Sequence, residues 1–173
     1  FSEVRIIKPF SEEKTAYQNY LGSNLEVLDL ESGRREILMR SAHSIQAPNW
    51  TTDGKKLIYN SNGFLYTYDL DSGAVERLET GFANRNNNDH VLSFDGKQLG
   101  ISHHDNEDNE DSVIYTLPTE GSSNPVRITK KGMGNSYLHG WTVDAKKLLF
   151  TGQRNDQYDI YSVDIGTGEE QQL

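Results

Sequence analysis

An all-β fold made of repeated four-stranded units is predicted by three features of the 173-residue sequence. The first is a repeated turn, whose aspartates Asp53, Asp95 and Asp144 lie 42 and 49 residues apart. The second is a strand segment with an aromatic residue after each turn, and the third is a second turn that ends in glycine. A period of about 40–50 residues is typical of four-stranded propeller blades. The sequence therefore predicts a β-propeller built of antiparallel blades.

Three copies of the repeat are clear, and a weaker copy precedes them. The clear copies begin with APNWTTDGKKL at residue 47, NDHVLSFDGKQL at residue 88 and LHGWTVDAKKL at residue 138. In the weaker copy, NLEVLDLESG matches a strand and its turn, and SEVRIIKPF (2–10) would form the innermost strand. We therefore expect a single domain over the whole chain, with about four blades. The predicted blades span approximately residues 1–42, 43–80, 81–130 and 131–173.

Each strand of the repeat has its own sequence signal. Asp-Gly tolerates the positive φ of a tight turn between two antiparallel strands. KKLIY (55–59) and KKLLF (146–150) then alternate polar and apolar residues, which indicates a strand buried on one face. AVERLE (74–79) closes the blade as an outer edge strand, where charged residues oppose unwanted pairing. Trp50 and Trp141 stand three residues before the turn aspartate, and we expect them to wedge between neighbouring blades.

The phrase PNWTTDGKKL (48–57), approximated by HGWTVDAKKL (139–148), resembles the blade signature of the TolB-like β-propellers. The resemblance covers about residues 24–173 and implies a bacterial protein of the periplasm, with the cytoplasm as the alternative. Propellers of this family close with six or seven blades. About four blades therefore imply a partial ring, a small closed ring, or a larger ring completed by self-association. The signature describes a fold and not an activity, because one fold hosts many functions.

The composition argues against two classes of partner. A net charge of -9 with scattered Lys and Arg disfavours nucleic acid, because phosphate backbones are bound by clustered basic residues. No segment approaches the run of about 18 apolar residues that a spanning helix needs, so membrane insertion is not expected. The sequence has no cysteine, which excludes disulfides and thiolate zinc sites. It opens with FSEVRIIKPF, without a recognisable signal peptide.

The best candidates for ligand contacts lie on the innermost strands, which line the channel of a propeller. His90 and His139 occupy equivalent positions in two neighbouring blades. They can donate hydrogen bonds to backbone and tie blade to blade, or they can contact a ligand or, with a carboxylate, a divalent metal. For Arg154, a salt bridge between blades is the alternative to a ligand contact. The predicted ligand-binding residues are His90, His139, Asp89, Asn88, Tyr137 and Arg154.

HHDNEDNED (103–111) is an acidic insertion between two strands. Acidic and amide residues alternate from Asp105 to Asp111, as in a calcium loop. However, Glu110 stands where the EF-hand pattern needs Gly, and Thr116 stands where it needs Glu. We therefore expect a solvated, mobile hairpin tip, with weak calcium binding as the alternative.

Two functions are compatible with these observations. The first is a non-catalytic binding or scaffolding propeller, without a cofactor, that recognises a protein, peptide or saccharide at the channel funnel. The second is a metal-assisted carbohydrate-active enzyme, because the related oligogalacturonate lyases carry histidines around a metal on a propeller of this style. No G-x-S-x-G nucleophile elbow occurs in the sequence. The sequence favours the binding propeller and assigns no catalytic residue.

Overall fold

The computed structural model describes residues 22–173, and these residues form fourteen β-strands and no helix. Every strand pairs antiparallel with the next strand of its sheet, which confirms the predicted all-β fold. Within this part of the chain there is accordingly no helix that could cross a membrane. The strands are β1 (Ser23–Leu28), β2 (Arg35–Ser41), β3 (Gln46–Trp50), β4 (Lys56–Ser61), β5 (Phe64–Asp69), β6 (Val75–Arg77), β7 (Asn86–Leu92), β8 (Gln98–His104), β9 (Ser112–Pro118), β10 (Val126–Arg127), β11 (Ser136–Trp141), β12 (Lys147–Arg154), β13 (Gln157–Asp164) and β14 (Glu170–Gln172).

The strands form four sheets, which we number blades 1 to 4 in chain order. Blade 1 is the pair β1–β2, and blades 2, 3 and 4 are the four-stranded meanders β3–β6, β7–β10 and β11–β14. The repeated meander confirms the prediction of propeller blades. The predicted innermost strand of blade 1, residues 2–10, lies outside the described residues.

The turn between the first two strands of each four-stranded blade is closed by its own aspartate. In blade 2, Asp53 Oδ1 accepts hydrogen bonds from the Thr51 hydroxyl at 2.6 Å and from the Lys55 N–H at 3.1 Å. Asp95 and Asp144 accept the same pair of bonds in blades 3 and 4. These bonds, the hydroxyl bond foremost, hold the pKa of all three carboxyls below its usual value. Each turn is therefore stabilised without help from another blade.

The residue after the turn aspartate adopts a left-handed backbone, which gives a first test. Gly54 and Ala145 occupy this position with φ of 70° and 54°. A left-handed conformation costs an L-residue about 1 kcal/mol relative to glycine. We expect Ala145→Gly to raise the free energy of unfolding and Gly54→Ala to lower it, each by about 1 kcal/mol in urea denaturation. Crowding is not involved at Gly54, because a Cβ there meets nothing within 4 Å. Two shifts of the same sign would contradict this account.

The apolar cores lie between the blades, where the facing surfaces of neighbouring sheets cover each other. In β8, Leu99 and Ile101 pack against blade 2, whereas Gly100 faces blade 4. A Cβ at Gly100 would lie 2.6 Å from Leu138 Cδ2, so the absence of a side chain allows close approach of the two blades. The three interfaces are built around Leu25 with Leu57, Leu65 with Ile101, and Ile114 with Phe150.

The two tryptophans differ in their environments. Trp141 is buried, and its Nε1–H donates a hydrogen bond of 2.9 Å to the Val91 carbonyl of blade 3, which confirms the predicted wedge. Trp50 is 51% exposed, and for it the same prediction is not tested. The innermost strand predicted for blade 1, which Trp50 would meet, lies outside the described residues.

Candidate functional site

The innermost strands β3, β7 and β11 lie side by side, and each is interrupted by a β-bulge. Hydrogen bonds cross between them, for example from Asn49 Nδ2 to the His90 carbonyl at 3.0 Å. A bulge breaks the regular alternation of side chains and is common beside functional sites. The bulges span Gln46–Asn49 in β3, Asn86–His90 in β7 and Leu138–Gly140 in β11. Three of the predicted ligand-binding residues therefore lie in bulges: Asn88, Asp89 and His139.

His90 connects two blades from a buried position. Its side chain is 4% exposed, and Nε2 lies 3.2 Å from the Ile58 carbonyl of blade 2. Because a carbonyl can only accept, Nε2 carries the proton, and Nδ1 has no partner among the described residues. Burial lowers the pKa of His90, so the ring is neutral at pH 7. This geometry agrees with the first alternative for His90, a hydrogen bond that connects two blades.

His139, at the equivalent position of blade 4, has a different environment. Its ring is exposed, and Nε2 lies 2.9 Å from the Thr151 hydroxyl of the same blade. Asn88 is also exposed. These two side chains are therefore available to a ligand at this end of the channel.

Asp89 is a half-buried carboxylate between these two exposed residues. Burial raises the pKa of Asp89, although His139, the Asn87 side chain and His104 each act to lower it. Among residues 22–173, no Lys or Arg forms an ion pair with Asp89. The negative charge of Asp89 is therefore not neutralised by a permanent cation.

Tyr137 lies in the same neighbourhood. The pKa of its phenol is raised, and burial is the largest cause. The nearby Tyr158, Asp111 and Asp89 raise this pKa further. These residues lie on the neighbouring strands β7 and β11, at the end of β8 and in the β8–β9 loop. We call this group the channel-end cluster; its members are Asp89, His104, Asp111, Tyr137 and His139, with Asn88 beside them.

Arg154 is buried and committed within blade 4. Its Nε and Nη2 form a two-pronged salt bridge with Glu170 at 2.8 and 2.9 Å. Nη2 also donates to Ser136 Oγ, and Nη1 donates to the carbonyls of Met133 and Asn135. The salt bridge is therefore internal to a blade and not between blades. All the donors of Arg154 are engaged, and we leave it out of the proposed site.

Replacing Arg154 should reveal this structural role. Arg154→Leu leaves the Glu170 carboxylate, whose side chain is only 11% exposed, without its partner. We expect the free energy of unfolding to fall by about 3 kcal/mol. Arg85→Leu is the matched control, since Arg85 and Glu110 form an exposed pair with side-chain exposures of 41% and 69%. Its loss should cost less than about 1 kcal/mol. Equal losses in urea denaturation would show that Arg154 is not a buried anchor.

Two members of the cluster, His104 and Asp111, belong to the insertion for which the sequence predicts a solvated tip. Asp108 in this loop is buried and pairs with Arg127 Nη2, and Asp105 pairs with Arg127 Nη1 at 3.0 Å. The prediction of a solvated tip is therefore wrong for Asp105 and Asp108. Arg127 lies on β10, on the far side of blade 3, so nothing local to the insertion signals the contact.

The arrangement of the His, Asp and Glu side chains in residues 22–173 does not support a metal centre. In residues 22–173, no group of three or more His, Asp or Glu side chains is arranged to hold a metal ion. Asp105 and Asp108, which belong to the suggested calcium loop, face the Arg127 guanidinium. The two candidate histidines also form no pair, because His90 bonds to blade 2 and His139 bonds within blade 4.

The raised pKa of Asp89 predicts that its ionised form destabilises the folded chain. When the folded pKa exceeds the unfolded one, stability is lost as pH rises through the unfolded value to the folded value. We therefore expect Asp89→Asn to raise the free energy of unfolding at pH 7 and to leave it unchanged at pH 3. Asp53→Asn should do the opposite at pH 7, because hydrogen bonds lower the pKa of Asp53. Urea denaturation at pH 3 and pH 7 measures these free energies of unfolding. A loss of stability in Asp89→Asn at pH 7 would contradict the prediction.

Comparison with known proteins relates the chain to bacterial proteins. No protein-family model matches the chain. An uncharacterized protein of Agrobacterium fabrum is 38% identical over 152 residues, which cover 87% of this chain and 50% of that protein. The Tol-Pal system protein TolB of Xanthomonas campestris pv. campestris is 38% identical over 60 residues, or 32% of this chain and 14% of that protein. The chain thus spans about half the length of the first relative.

Solved structures show the same relationship. A candidate TolB from Agrobacterium tumefaciens superposes with a TM-score of 0.78 and 38% identity, over 86% of this chain and 52% of that chain. TolB from Acinetobacter baumannii gives a TM-score of 0.70 and 26% identity, over 87% and 37%. An oligogalacturonate lyase in complex with manganese gives a TM-score of 0.66 at 11% identity, over 87% and 41%, and shares the fold alone.

Proposed function

Because this chain is a TolB-like β-propeller, we propose that it is a non-catalytic binding module that takes a protein or peptide at its channel end. The channel-end cluster carries this proposal. It combines the exposed His139 and Asn88 with the half-buried, unneutralised carboxylate of Asp89. Perturbed ionisable groups beside exposed hydrogen-bonding groups are typical of binding sites.

The negative charge of the channel-end cluster indicates which kind of partner side chain it binds. Asp89 and Asp111 have no Lys or Arg in an ion pair within residues 22–173, and both lie near Tyr137. A carboxylate in a partly desolvated site attracts a cation more strongly than one in bulk water. We therefore propose that the partner segment presents a Lys or Arg side chain, with Tyr137 and His139 as hydrogen-bonding groups beside it. Similarity to proteins of the Tol-Pal system supports a protein partner.

No observation favours the metal-assisted lyase. His90 is buried and bonded to Ile58, so it does not join His139 in a pair of ligands. Arg154, the predicted contact for an acidic substrate, is occupied by Glu170. An acidic sugar would also meet the unneutralised Asp89.

Three further features belong to the proposal. A periplasmic location has the support of the similarity to TolB proteins. Self-association that completes a ring, and a saccharide in place of the peptide at the channel end, stay predictions from the sequence.

A pair of matched peptides tests the proposal. We expect a ten-residue peptide of alternating Gly and Lys to bind at low salt, and its Gly-Glu counterpart not to bind, in isothermal titration calorimetry. Asp89→Asn should weaken binding by roughly tenfold, as expected for loss of a partly desolvated charge pair. His139→Ala should weaken it without changing the unfolding transition, because the ring is exposed.

Asp71→Asn is the control, because this exposed carboxylate lies in the β5–β6 turn at the opposite end of blade 2. It should leave the affinity unchanged. Equal binding of the acidic peptide, or an unchanged affinity in Asp89→Asn, would refute the channel end as the binding site.

A further inference from the structure

We propose that a cavity on the rim between blades 2 and 3 binds one ring of a neutral saccharide. We call it the rim pocket. It has a volume of about 440 Å³, which is within the range of about 300–1,000 Å³ usual for small-molecule sites. It shares no residue with the channel-end cluster and stands independently of the function proposed there. The residues that line it are Phe82, Asn84, His103, Asp105, Asn106, Glu107, Tyr115 and Arg127.

One wall of the rim pocket is aromatic. The rings of Phe82, His103 and Tyr115 contact each other edge to face, with centroids 5.3 to 6.0 Å apart. His103 and Tyr115 are buried, whereas Phe82 is 53% exposed. The rim pocket therefore combines an aromatic wall with polar lining residues, which is the composition of small-molecule sites.

Phe82 is held in place before any ligand arrives. It lies in a tight turn in which the Ala83 N–H donates to the Thr80 carbonyl at 3.0 Å and the Thr80 hydroxyl donates to the Ala83 carbonyl at 2.7 Å. Gly81 has a φ of 56°, and a Cβ there would lie 2.2 Å from the Ser123 carbonyl oxygen. The turn is therefore packed closely against the β9–β10 loop. A preorganised aromatic ring loses little conformational entropy on binding.

The buried His103 offers a hydrogen-bond donor with a fixed direction. Its Nδ1 accepts the Arg85 N–H at 3.2 Å, so Nε2 carries the proton of the neutral ring. Burial lowers the pKa of His103, which keeps the ring neutral at pH 7. Among the described residues, no acceptor bonds to Nε2–H. An oxygen of a ligand in the rim pocket can take this place.

The ionised group of the rim pocket that has no ion-pair partner is negatively charged. Arg127 is already paired with Asp105 and Asp108, and Asp105 also accepts the Tyr115 hydroxyl at 2.6 Å. Glu107 is exposed and forms no ion pair within residues 22–173. This charge disfavours an anionic ligand, so we expect a uronic acid to bind more weakly than a neutral sugar.

A sugar ring fits these groups better than an apolar side chain does. A pyranose presents C–H groups on one face and hydroxyls around its rim, and each hydroxyl can donate and accept. The apolar face suits Phe82, and the hydroxyls suit the Asn84 amide, the Glu107 carboxylate and the NH₂ group of Asn106, whose Oδ1 already accepts from Arg85. An apolar side chain would remove these polar groups from water without giving them partners, which is unfavourable.

Saturation-transfer NMR with a panel of methyl glycosides tests the proposal. The neutral probes are the methyl pyranosides of glucose, galactose, mannose and N-acetylglucosamine, and methyl galacturonoside is the charged counterpart of the galactoside. We expect at least one neutral probe to bind and the galacturonoside to bind more weakly than that probe. Phe82→Ala should abolish the signal. His103→Phe, which keeps an aromatic ring and removes the N–H, should weaken binding by about tenfold.

Phe94→Ala is the matched control, because Phe94 is a more exposed phenylalanine in the β7–β8 turn, outside the rim pocket. It should bind as the unchanged protein does. Unfolding curves must show that Phe82→Ala is folded; if it is not, Phe82→Leu, which keeps the side chain and loses the ring, replaces it. The proposal is overturned if no neutral probe binds, if Phe82 variants bind normally, or if the galacturonoside binds equally well. It is also overturned if N-acetyl-leucine amide binds in preference, which would make the site a peptide pocket.

Discussion

Face-to-face packing of neighbouring blades is the constraint on which the rest of this structure depends. Leu65, Ile114 and Ile160 occupy the same position in blades 2, 3 and 4. The first two are completely buried, because the next blade covers them, whereas Ile160 is 46% exposed. A blade is therefore not a stable unit by itself, because its apolar residues are buried only by a neighbour. The same packing brings β7 and β11 together, so the channel-end cluster contains residues from two blades.

The fold could be predicted from the sequence because its signals are local. The turn of Asp53, Gly54 and Lys55 uses only adjacent residues, and the apolar run Leu57–Tyr59 lies within one strand. The prediction that this strand is buried on one face is wrong, because Leu57 to Asn60 are all buried. The site could be predicted only in part. His90 and His139 are equivalent in sequence, yet one is buried against Ile58 and the other is exposed. The two bulges differ: His139 is the unpaired residue of its bulge, whereas His90 is paired with Ile101 at the end of its own. The repeat pattern contains no information on where a bulge falls.

The half-buried Arg127 and the buried Arg154 show which acidic residues of the described chain have a partner and which do not. Arg127 anchors the β8–β9 loop through Asp105 and Asp108, and Arg154 anchors the segment before β11. Both contacts connect elements that are separate in sequence. The sequence therefore predicts a solvated loop and, for Arg154, a ligand contact or a salt bridge between blades. The carboxylates that these arginines do not reach, among them Asp89, are the ones that give the channel end its charge.

The self-contained aspartate turn has a consequence for how such chains diverge. Because Thr51, Asp53 and Lys55 satisfy one another, a gene segment encoding a blade can be duplicated or lost without leaving a broken turn behind. The antiparallel order places this turn at the end of the blade opposite the start of β7, where the channel-end cluster begins. Mutations at the channel end can therefore change the ligand of a propeller while the aspartate-turn sequence stays unchanged. Similarity between these turn sequences therefore indicates common ancestry of the blades. The ligand of each propeller has to be established from the residues at the other end of its own blades.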